Sequence, residues 1–345
     1  MRRAILVLVA AALALAGAGI AGTRTDATPG YAYGTRGHAP NLAVRAGQVP
    51  AGFTGGAVTA SDGESVNVYV EDPLLTADPN AVQHWADTLV SLLHGPEIST
   101  VTIYMATLDR IRQLCGEGAL GCYGNGRIAA LGQDLDTVRA QSVLTHEYGH
   151  HIANSQVNDP WKAVDFGTKR WATYLNVCSR SQNGQLFPGD ESRFYQLNPG
   201  EVFAEDYRVL NERRAGLPES AWQVVDQTLY PDQTALDLLS QDVAQPWAGN
   251  TTTSYSVAIG PRASGRGFRI STPLDGSFVA TLTVPAKAKL ALRIVDPATG
   301  KILASASSGL RVQSIPISVC GQRTLQVQVK RVSGSGTFTL AVSQP

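Results

Sequence analysis

Hydrophobic and polar positions follow regular periods along most of the chain after residue 60. SVNVYVED (65–72) alternates with a period of two, and TVTIYMAT (100–107) and GRIAALG (126–132) are further short apolar runs typical of strands. After Pro79, apolar residues recur at helical spacing until about His94, which predicts a helix between the first two strands. Strands mixed with helices in this order predict an α+β domain built on a mixed sheet.

Two longer helices and then a second group of strands are expected further along. Asp136 is positioned as the cap of a helix that runs to about Asn154. Asn198, followed by proline, begins a helix that Gly216 ends. From residue 251 to 345, short alternating runs recur between glycines and prolines, and this spacing predicts an antiparallel β-sandwich.

The first sixty residues differ from the rest. Residues 1–21 begin with two arginines, continue with a short apolar run and end in small residues, which predicts a secretory signal peptide. Residues 22–60 are rich in Gly, Ala, Thr and Pro, which favours a linker or a short pro-segment. We therefore expect a secreted protein with an α+β domain over 61–248 and the sandwich over 251–345. No later apolar run approaches the length of a membrane span, so no stable membrane insertion is expected.

Export places the four cysteines in an oxidising environment, where they are expected to form disulfides. Four cysteines allow three pairings. Cys115 and Cys122 bracket a glycine-rich turn, which favours their pairing and leaves Cys178 with Cys320. The second bridge would then join the two domains.

Charge is distributed unevenly between the two domains. The residues from 251 onward include eleven Lys and Arg against two acids, a net charge of +9, whereas residues 22–250 carry a net charge of −11. This asymmetry indicates two modules, and the basic one could bind an anionic polymer of a cell wall or matrix. Charge alone favours a merely solvated basic surface, and nothing in the sequence predicts nucleic-acid binding.

The clearest chemical signal is HEYGH at residues 146–150, in a chain with 6 histidines among 345 residues. His146 and His150 are four apart, so they lie on one face of a helix and can bind one metal ion. Zn²⁺ suits two imidazoles with a carboxylate as third ligand. Glu147 lies beside the site and is predicted to be the general base of a metal-assisted hydrolysis.

The third ligand must come from another segment. Glu201 and Glu205 are also four apart on a predicted helix, with Glu201 as the candidate zinc ligand and Glu205 as a hydrogen-bond partner that orients a ligand histidine. An alternative exists, because Asn198 and Glu201 also fit a capping box in which the glutamate turns back onto the backbone.

HEYGH followed about fifty residues later by EVFAEDYR resembles the gluzincin metallopeptidases, most closely the zinc domain of the anthrax lethal factor type. The resemblance implies a zincin-like fold for the first domain and a role for Tyr195 in stabilising the transition-state oxyanion. It also implies that an edge strand, expected at residues 125–130, pairs with an extended substrate. The C-terminal region, with GSFVATLTVPAKAKLALRIVD and SGSGTFTLAVS, resembles a bacterial prepeptidase C-terminal (PPC) domain.

These features together predict a secreted zinc endopeptidase that acts on protein or peptide substrates. Two other readings remain open at this point. The chain could be a non-catalytic cell-surface or matrix-binding protein on a vestigial metallopeptidase scaffold, or a zinc hydrolase acting on a non-peptide bond. The intact Glu147 favours an enzyme over the vestigial scaffold.

Overall fold

In the computed structural model, the described residues are 49–220, 225–306 and 309–345. The predicted signal peptide, residues 1–21, and most of the predicted linker lie outside them. The described residues form fifteen strands, of which β6 and β7 make a separate two-stranded ribbon. In chain order the strands are β1 (Phe53–Thr59), β2 (Ser65–Glu71), β3 (Thr102–Ala106), β4 (Gly121–Gly124), β5 (Arg127–Leu131), β6 (Val157–Asn158), β7 (Trp161–Lys162), β8 (Thr251–Ile259), β9 (Gly265–Thr272), β10 (Gly276–Thr283), β11 (Ala288–Val295), β12 (Ile302–Ser305), β13 (Val312–Val319), β14 (Arg323–Gly334) and β15 (Gly336–Gln344).

Nine α-helices are found among the described residues, all before residue 245. They are α1 (Asp72–Ala77), α2 (Ala81–Ser91), α3 (Leu108–Cys115), α4 (Ala140–Ser155), α5 (Ala163–Phe166), α6 (Lys169–Tyr174), α7 (Val177–Gln182), α8 (Pro199–Arg214) and α9 (Gln233–Ala244). Short 3₁₀ turns occur at Pro96–Thr100, Tyr195–Leu197 and Gln227–Leu229. No helix in the described part of the chain is both long enough and apolar enough to cross a membrane.

The first sheet has the strand order β1-β2-β3-β5-β4. Strands β2, β3 and β5 are parallel, while β1 and β4 pair antiparallel with their neighbours, so the expected mixed sheet is confirmed. One face packs against α2, α4 and α8 through a large apolar core that includes Val68, Ile103 and Leu144. The opposite face is covered by α3 and a smaller core that contains Cys115 and Cys122.

The edge of this sheet differs from the sequence-based expectation. The segment 125–130 was expected at the edge, but β5 is interior, because β4 pairs with it from Gly121 to Gly124. A four-residue strand beginning and ending with glycine carries too little alternation to be recognised in the sequence. The edge next to α4 is therefore β4.

Ordered structure also begins earlier than the composition predicts, since β1 lies inside the segment expected to be a linker. Only Phe53 of β1 is buried, and Gly55 and Gly56 remove its alternation. A Cβ at Gly55 would lie 2.0 Å from the carbonyl oxygen of Val68, so the close pairing of β1 with β2 requires glycine there.

The C-terminal strands form two four-stranded antiparallel sheets, in the orders β13-β10-β15-β8 and β12-β11-β14-β9. Their facing side chains build one apolar core, which includes Phe278, Leu292 and Phe338. The predicted antiparallel sandwich-like arrangement of the C-terminal region is thus confirmed.

Both expected disulfides are present, Cys115–Cys122 and Cys178–Cys320, with Cα atoms 5.7 and 5.3 Å apart. The second joins α7 to the turn that precedes β14, and thereby links the helical part to the sandwich. Lys169 reinforces this link, because its ammonium group donates to the carbonyl oxygens of Asp159 and Asp275 at 2.9 and 3.0 Å. Two disulfides are typical of an extracellular or otherwise oxidising environment.

Candidate metal centre

Helix α4 carries the HEYGH segment and is buried on almost every side, because it lies between the sheet and α8. His146, Glu147 and His150 are 0%, 1% and 3% exposed. The helix begins at Ala140, later than predicted, and Asp136 does not cap it. A turn between Leu135 and Val138 precedes the helix, and Asp134 accepts the hydrogen bond from the Ala140 N–H at 2.8 Å.

Helix α8 brings the third candidate ligand to the histidines. Asn198 caps it by accepting a hydrogen bond from the Gly200 N–H at 3.1 Å, and Pro199 occupies the first turn. The Glu201 side chain points to the histidines, with Oε2 lying 3.3 Å from Nε2 of His146. This position decides against the capping-box alternative.

The two helices can approach this closely because α4 has a glycine where they cross. A Cβ added at Gly149 would lie 2.9 Å from Cα of Ala204 and 3.2 Å from Cβ of Tyr207. On the side of the sheet, a Cβ at Gly121 of β4 would lie 2.8 Å from Oε1 of Glu147. Gly149 thus creates the space in which α8 packs against α4, and Gly121 creates the space in which the Glu147 carboxylate packs against β4.

The donor set fits a divalent metal ion. One ligand atom from each of His146, His150 and Glu201 lies within 4.8 Å of the other two. Nε2 of His146 and Nε2 of His150 are 3.3 and 3.4 Å from the two Glu201 oxygens. Zinc–ligand bonds of about 2.0–2.1 Å in a tetrahedral arrangement separate ligand atoms by about 3.3–3.4 Å, so the spacing suits zinc.

The electrostatics of the site also favour a cation. Oε1 of Glu147 is buried without a hydrogen-bond partner among the described residues, and a buried charge of this kind needs a partner or a metal. Burial raises the pKa of Glu147 to about 8. Burial also opposes ionisation of Glu201, but the adjacent histidines outweigh it and hold the pKa of this carboxyl below its usual range. A positive ion at the centre would stabilise both carboxylates.

A chain of buried ionic groups begins at Nδ1 of His146 and continues through α8. This Nδ1 lies 3.4 Å from Oε2 of Glu205, the residue predicted to orient a ligand histidine. Arg208 donates two hydrogen bonds to Glu205 and a third to Glu212. Burial lowers the pKa of His146, but the hydrogen bonds to Glu201 and Glu205 outweigh it and raise the pKa to about 9. The carboxylate of Glu205 therefore favours a hydrogen on Nδ1 and leaves Nε2 facing Glu201.

Glu212 is the member of this network that sequence reasoning missed. Its carboxylate accepts hydrogen bonds from Arg208, Ser142, Arg139 and Ser220. The spacing of Glu205, Arg208 and Glu212, three and four residues apart with alternating charge, is a sequence signal for such a network on one helix face.

The remaining aromatic and histidine residues of the region have defined positions. The hydroxyl of Tyr195 donates to Oε2 of Glu201 at 2.7 Å, so this tyrosine lies beside the candidate metal centre. Tyr148 packs in the core and donates to Glu97 at 3.0 Å. His151 is 3% exposed, and its Nε2 lies 3.0 Å from the carbonyl oxygen of Glu97. Its ring points away from the metal centre because it is one residue, about 100°, from His150.

No family model matches this sequence, and no curated protein matches it either. Three solved structures show weak similarity, each over less than a third of this chain. A Yersinia pseudotuberculosis-derived mitogen matches with 12% identity, 28% coverage of this chain, 87% coverage of its own and a TM-score of 0.23. The pre-peptidase C-terminal domain of a Bacillus anthracis collagenase gives 13% identity, coverages of 27% and 88% and a TM-score of 0.23. The Aeromonas hydrophila periplasmic inhibitor of g-type lysozyme gives 10%, coverages of 28% and 86% and 0.20. Similarity at this level does not identify a family.

Proposed function

We propose that the protein is a secreted zinc-dependent endopeptidase with a zincin-like catalytic domain and a PPC-like accessory domain. The observation that carries the proposal is the convergence of His146, His150 and Glu201 around one buried point, with Glu147 one residue from a ligand. Two imidazoles and one carboxylate are the ligand set of catalytic zinc sites that keep one position open.

The residues of this chain divide the chemical work between them. A bound zinc ion supplies Lewis acidity, which lowers the pKa of water and polarises a carbonyl group. Glu147 is positioned to accept the proton of the attacking water and to return it to the leaving amine nitrogen, as a general acid–base. Tyr195 has a hydroxyl close to Glu201 and can turn it toward an oxygen that gains negative charge during the reaction.

A peptide is the proposed substrate class, and β4 is the sheet edge nearest to Glu147, with Gly121, Cys122 and Tyr123 buried in this structure. Its Gly121 contacts the Glu147 carboxylate, so an extended chain paired along β4 would pass beside the general base. Backbone pairing with a sheet edge holds peptides in an extended conformation and depends little on their side chains. The Cys115–Cys122 bridge closes the loop that leads into β4 and restricts its movement.

The test is cleavage of casein and gelatin by the purified mature protein, with metal content measured on the same samples. We expect about one zinc per chain, cleavage that stops with a chelator, and recovery on adding zinc. Glu147→Gln should lower the cleavage rate at least about 100-fold while zinc content stays unchanged, because the base touches water and not the metal. Glu117→Gln, the same change at an exposed loop position, is the control and should retain wild-type activity.

Each contrary result has a definite meaning. Wild-type cleavage by the Glu147→Gln variant would refute the assignment of the base. Cleavage insensitive to chelator would refute the metal mechanism. A protein that binds zinc but cleaves neither substrate would support the vestigial scaffold, and profiling with ester and amide substrates would then separate a non-peptide hydrolase from a protein without activity.

A further inference from the structure

We propose that the outward face of the β12-β11-β14-β9 sheet is a docking surface for a linear acidic polysaccharide. This inference concerns the sandwich and does not depend on the proposed peptidase activity. The basic residues of the sandwich are concentrated on the strands of this sheet. Seven of the eleven Lys and Arg after residue 250 lie on three strands of this sheet, β9, β11 and β14, and no acid lies on any of its four strands.

The second sheet of the sandwich provides a comparison within the same molecule. Its strands β8, β10, β13 and β15 contain no charged residue, and their outward positions are mostly serine and threonine. Of the seven basic residues on β9, β11 and β14, Arg269, Arg293 and Lys330 alternate with buried residues and project from the outward face, whereas no cation projects from the second sheet. Basic residues needed only for solubility have no reason to be confined to one of the two sheets. Their confinement indicates a partner for that face.

Strand alternation and pairing define which cations share the face. Leu290, Leu292 and Ile294 of β11 are buried in the core, so Arg293 points outward between them. By the same alternation, Lys330 of β14 and Arg269 of β9 point outward from their strands. None of these three cations forms a salt bridge with any described residue, so their charges are available to a ligand.

The three cations surround a pair of amides. Gln328 pairs with Arg293 on one side, and Gln326 pairs with Arg269 on the other. Gln328 donates to Gln326 at 2.9 Å, which confirms that both amides lie on this face. The diagonal from Arg293 to Lys330 is about 7–8 Å, and Arg269 lies two strands across and two residues along from Arg293, a separation of about 12 Å. Repeated anionic groups along a flexible chain can engage cations at such separations.

The chemistry of the face selects a polysaccharide among anionic polymers. Guanidinium groups bind carboxylates through paired hydrogen bonds, and glutamine amides can bind sugar hydroxyls. Proteins that bind single-stranded nucleic acid offer aromatic rings for base stacking, but the single aromatic residue on these four strands, Phe268, packs against the core. A flat face of cations, amides and hydroxyls thus fits a carboxylated sugar chain.

The experiment compares two triple variants of the full mature chain for binding to alginate, a carboxylated polysaccharide, with dextran as the neutral control. The face variant is Arg269→Gln, Arg293→Gln and Lys330→Gln. The matched variant, Arg262→Gln, Lys287→Gln and Arg311→Gln, removes two arginines and one lysine from exposed loops of the same sandwich. Both lose three charges, so net charge alone cannot separate them.

We expect the wild type to bind alginate and not dextran, with affinity that falls as salt is raised. The face variant should lose about tenfold or more in affinity, since each exposed ion pair contributes a few-fold, and the loop variant should stay within about threefold of wild type. Thermal unfolding of both variants checks that the sandwich remains folded. Equal losses in the two variants, retained binding by the face variant, or no alginate binding by wild type would overturn the proposal. Equally tight binding of double-stranded DNA or phosphatidylglycerol vesicles would also overturn it, because the partner would then be any polyanion.

Discussion

A substitution of Gly149 by alanine tests the helix crossing on which the metal centre depends. The added methyl carbon would lie 2.9 Å from Cα of Ala204, whereas carbon atoms in contact prefer about 3.5–4.0 Å. The new Cβ is fixed to the backbone of α4, and Cα of Ala204 belongs to the backbone of α8, so neither atom can move alone. The two helices must therefore separate by about 0.8 Å to bring the contact from 2.9 Å to about 3.7 Å. Glu201 is three residues from Ala204 on the same helix and would move with it.

This displacement is large compared with the tolerance of a metal site. Zinc–ligand distances vary by only about 0.2 Å, so a shift of about 0.8 Å should weaken zinc binding at least about tenfold. The effect on stability is smaller. Overpacking costs about 1–3 kcal/mol, and alanine regains about 1 kcal/mol of helix propensity over glycine.

The assay is zinc affinity measured by competition with a chromophoric chelator, together with the midpoint of thermal unfolding. Gly260→Ala is the control, because its Cβ would meet nothing within 4 Å. We expect Gly149→Ala to lose zinc affinity with only a modest change in the midpoint, and Gly260→Ala to match the wild type in both. Wild-type zinc affinity in Gly149→Ala would show that the crossing of α4 and α8 does not position Glu201.

Three further predictions concern neighbouring features. Glu205→Gln should lower zinc affinity about 10–100-fold in the same competition assay, because the residue that orients His146 would lose its charge; unchanged affinity would contradict that role. Replacing Cys178 and Cys320 by serine should lower the free energy of unfolding in urea by about 5 kcal/mol, since the bridge spans 142 residues, and equal urea midpoints would refute this. Burial lowers the pKa of Lys169 to about 8, against about 10.4 in an unfolded chain. The unfolded state then binds more protons between these values, so the free energy of unfolding should rise by about 2 kcal/mol from pH 8 to 10, and Lys169→Met should lack that rise.

The sequence was most informative where local spacing alone determines the geometry. Residues four apart on a helix must share a face, so His146 with His150, and Glu201 with Glu205, were recognised without a fold. The pairing of Cys115 with Cys122 is equally local, because the two cysteines are only seven positions apart and bracket a glycine-rich turn. In each case the relevant distance is set within two helical turns or one loop.

The sequence does not reveal elements whose hydrophobic pattern is explained only by their neighbours in the fold. Strand β13 contains Pro316, which argues against a strand, yet β13 is at the edge of its sheet, where a missing backbone donor is tolerated. Strand β9 begins Gly-Arg-Gly, and its outward arginines conceal the buried Ile270. The packing at Gly149 was also invisible, because a glycine inside a helix shows its purpose only when the crossing helix is known.

The buried acids on α4 and α8 fall into two groups, one paired with an arginine and one beside the candidate metal centre. Burying an ionised carboxylate is costly, and apolar residues in the same positions are often at least as stable. Glu205 and Glu212 meet this cost through Arg208, which lies between them. Glu147 and Glu201 form no ion pair with lysine or arginine among the described residues, and their carboxylates lie beside the two histidines of HEYGH. A helix pair selected only for stability would have no reason to keep these two acids where no lysine or arginine of the described residues reaches them, whereas a divalent ion held by His146, His150 and Glu201 would stabilise both.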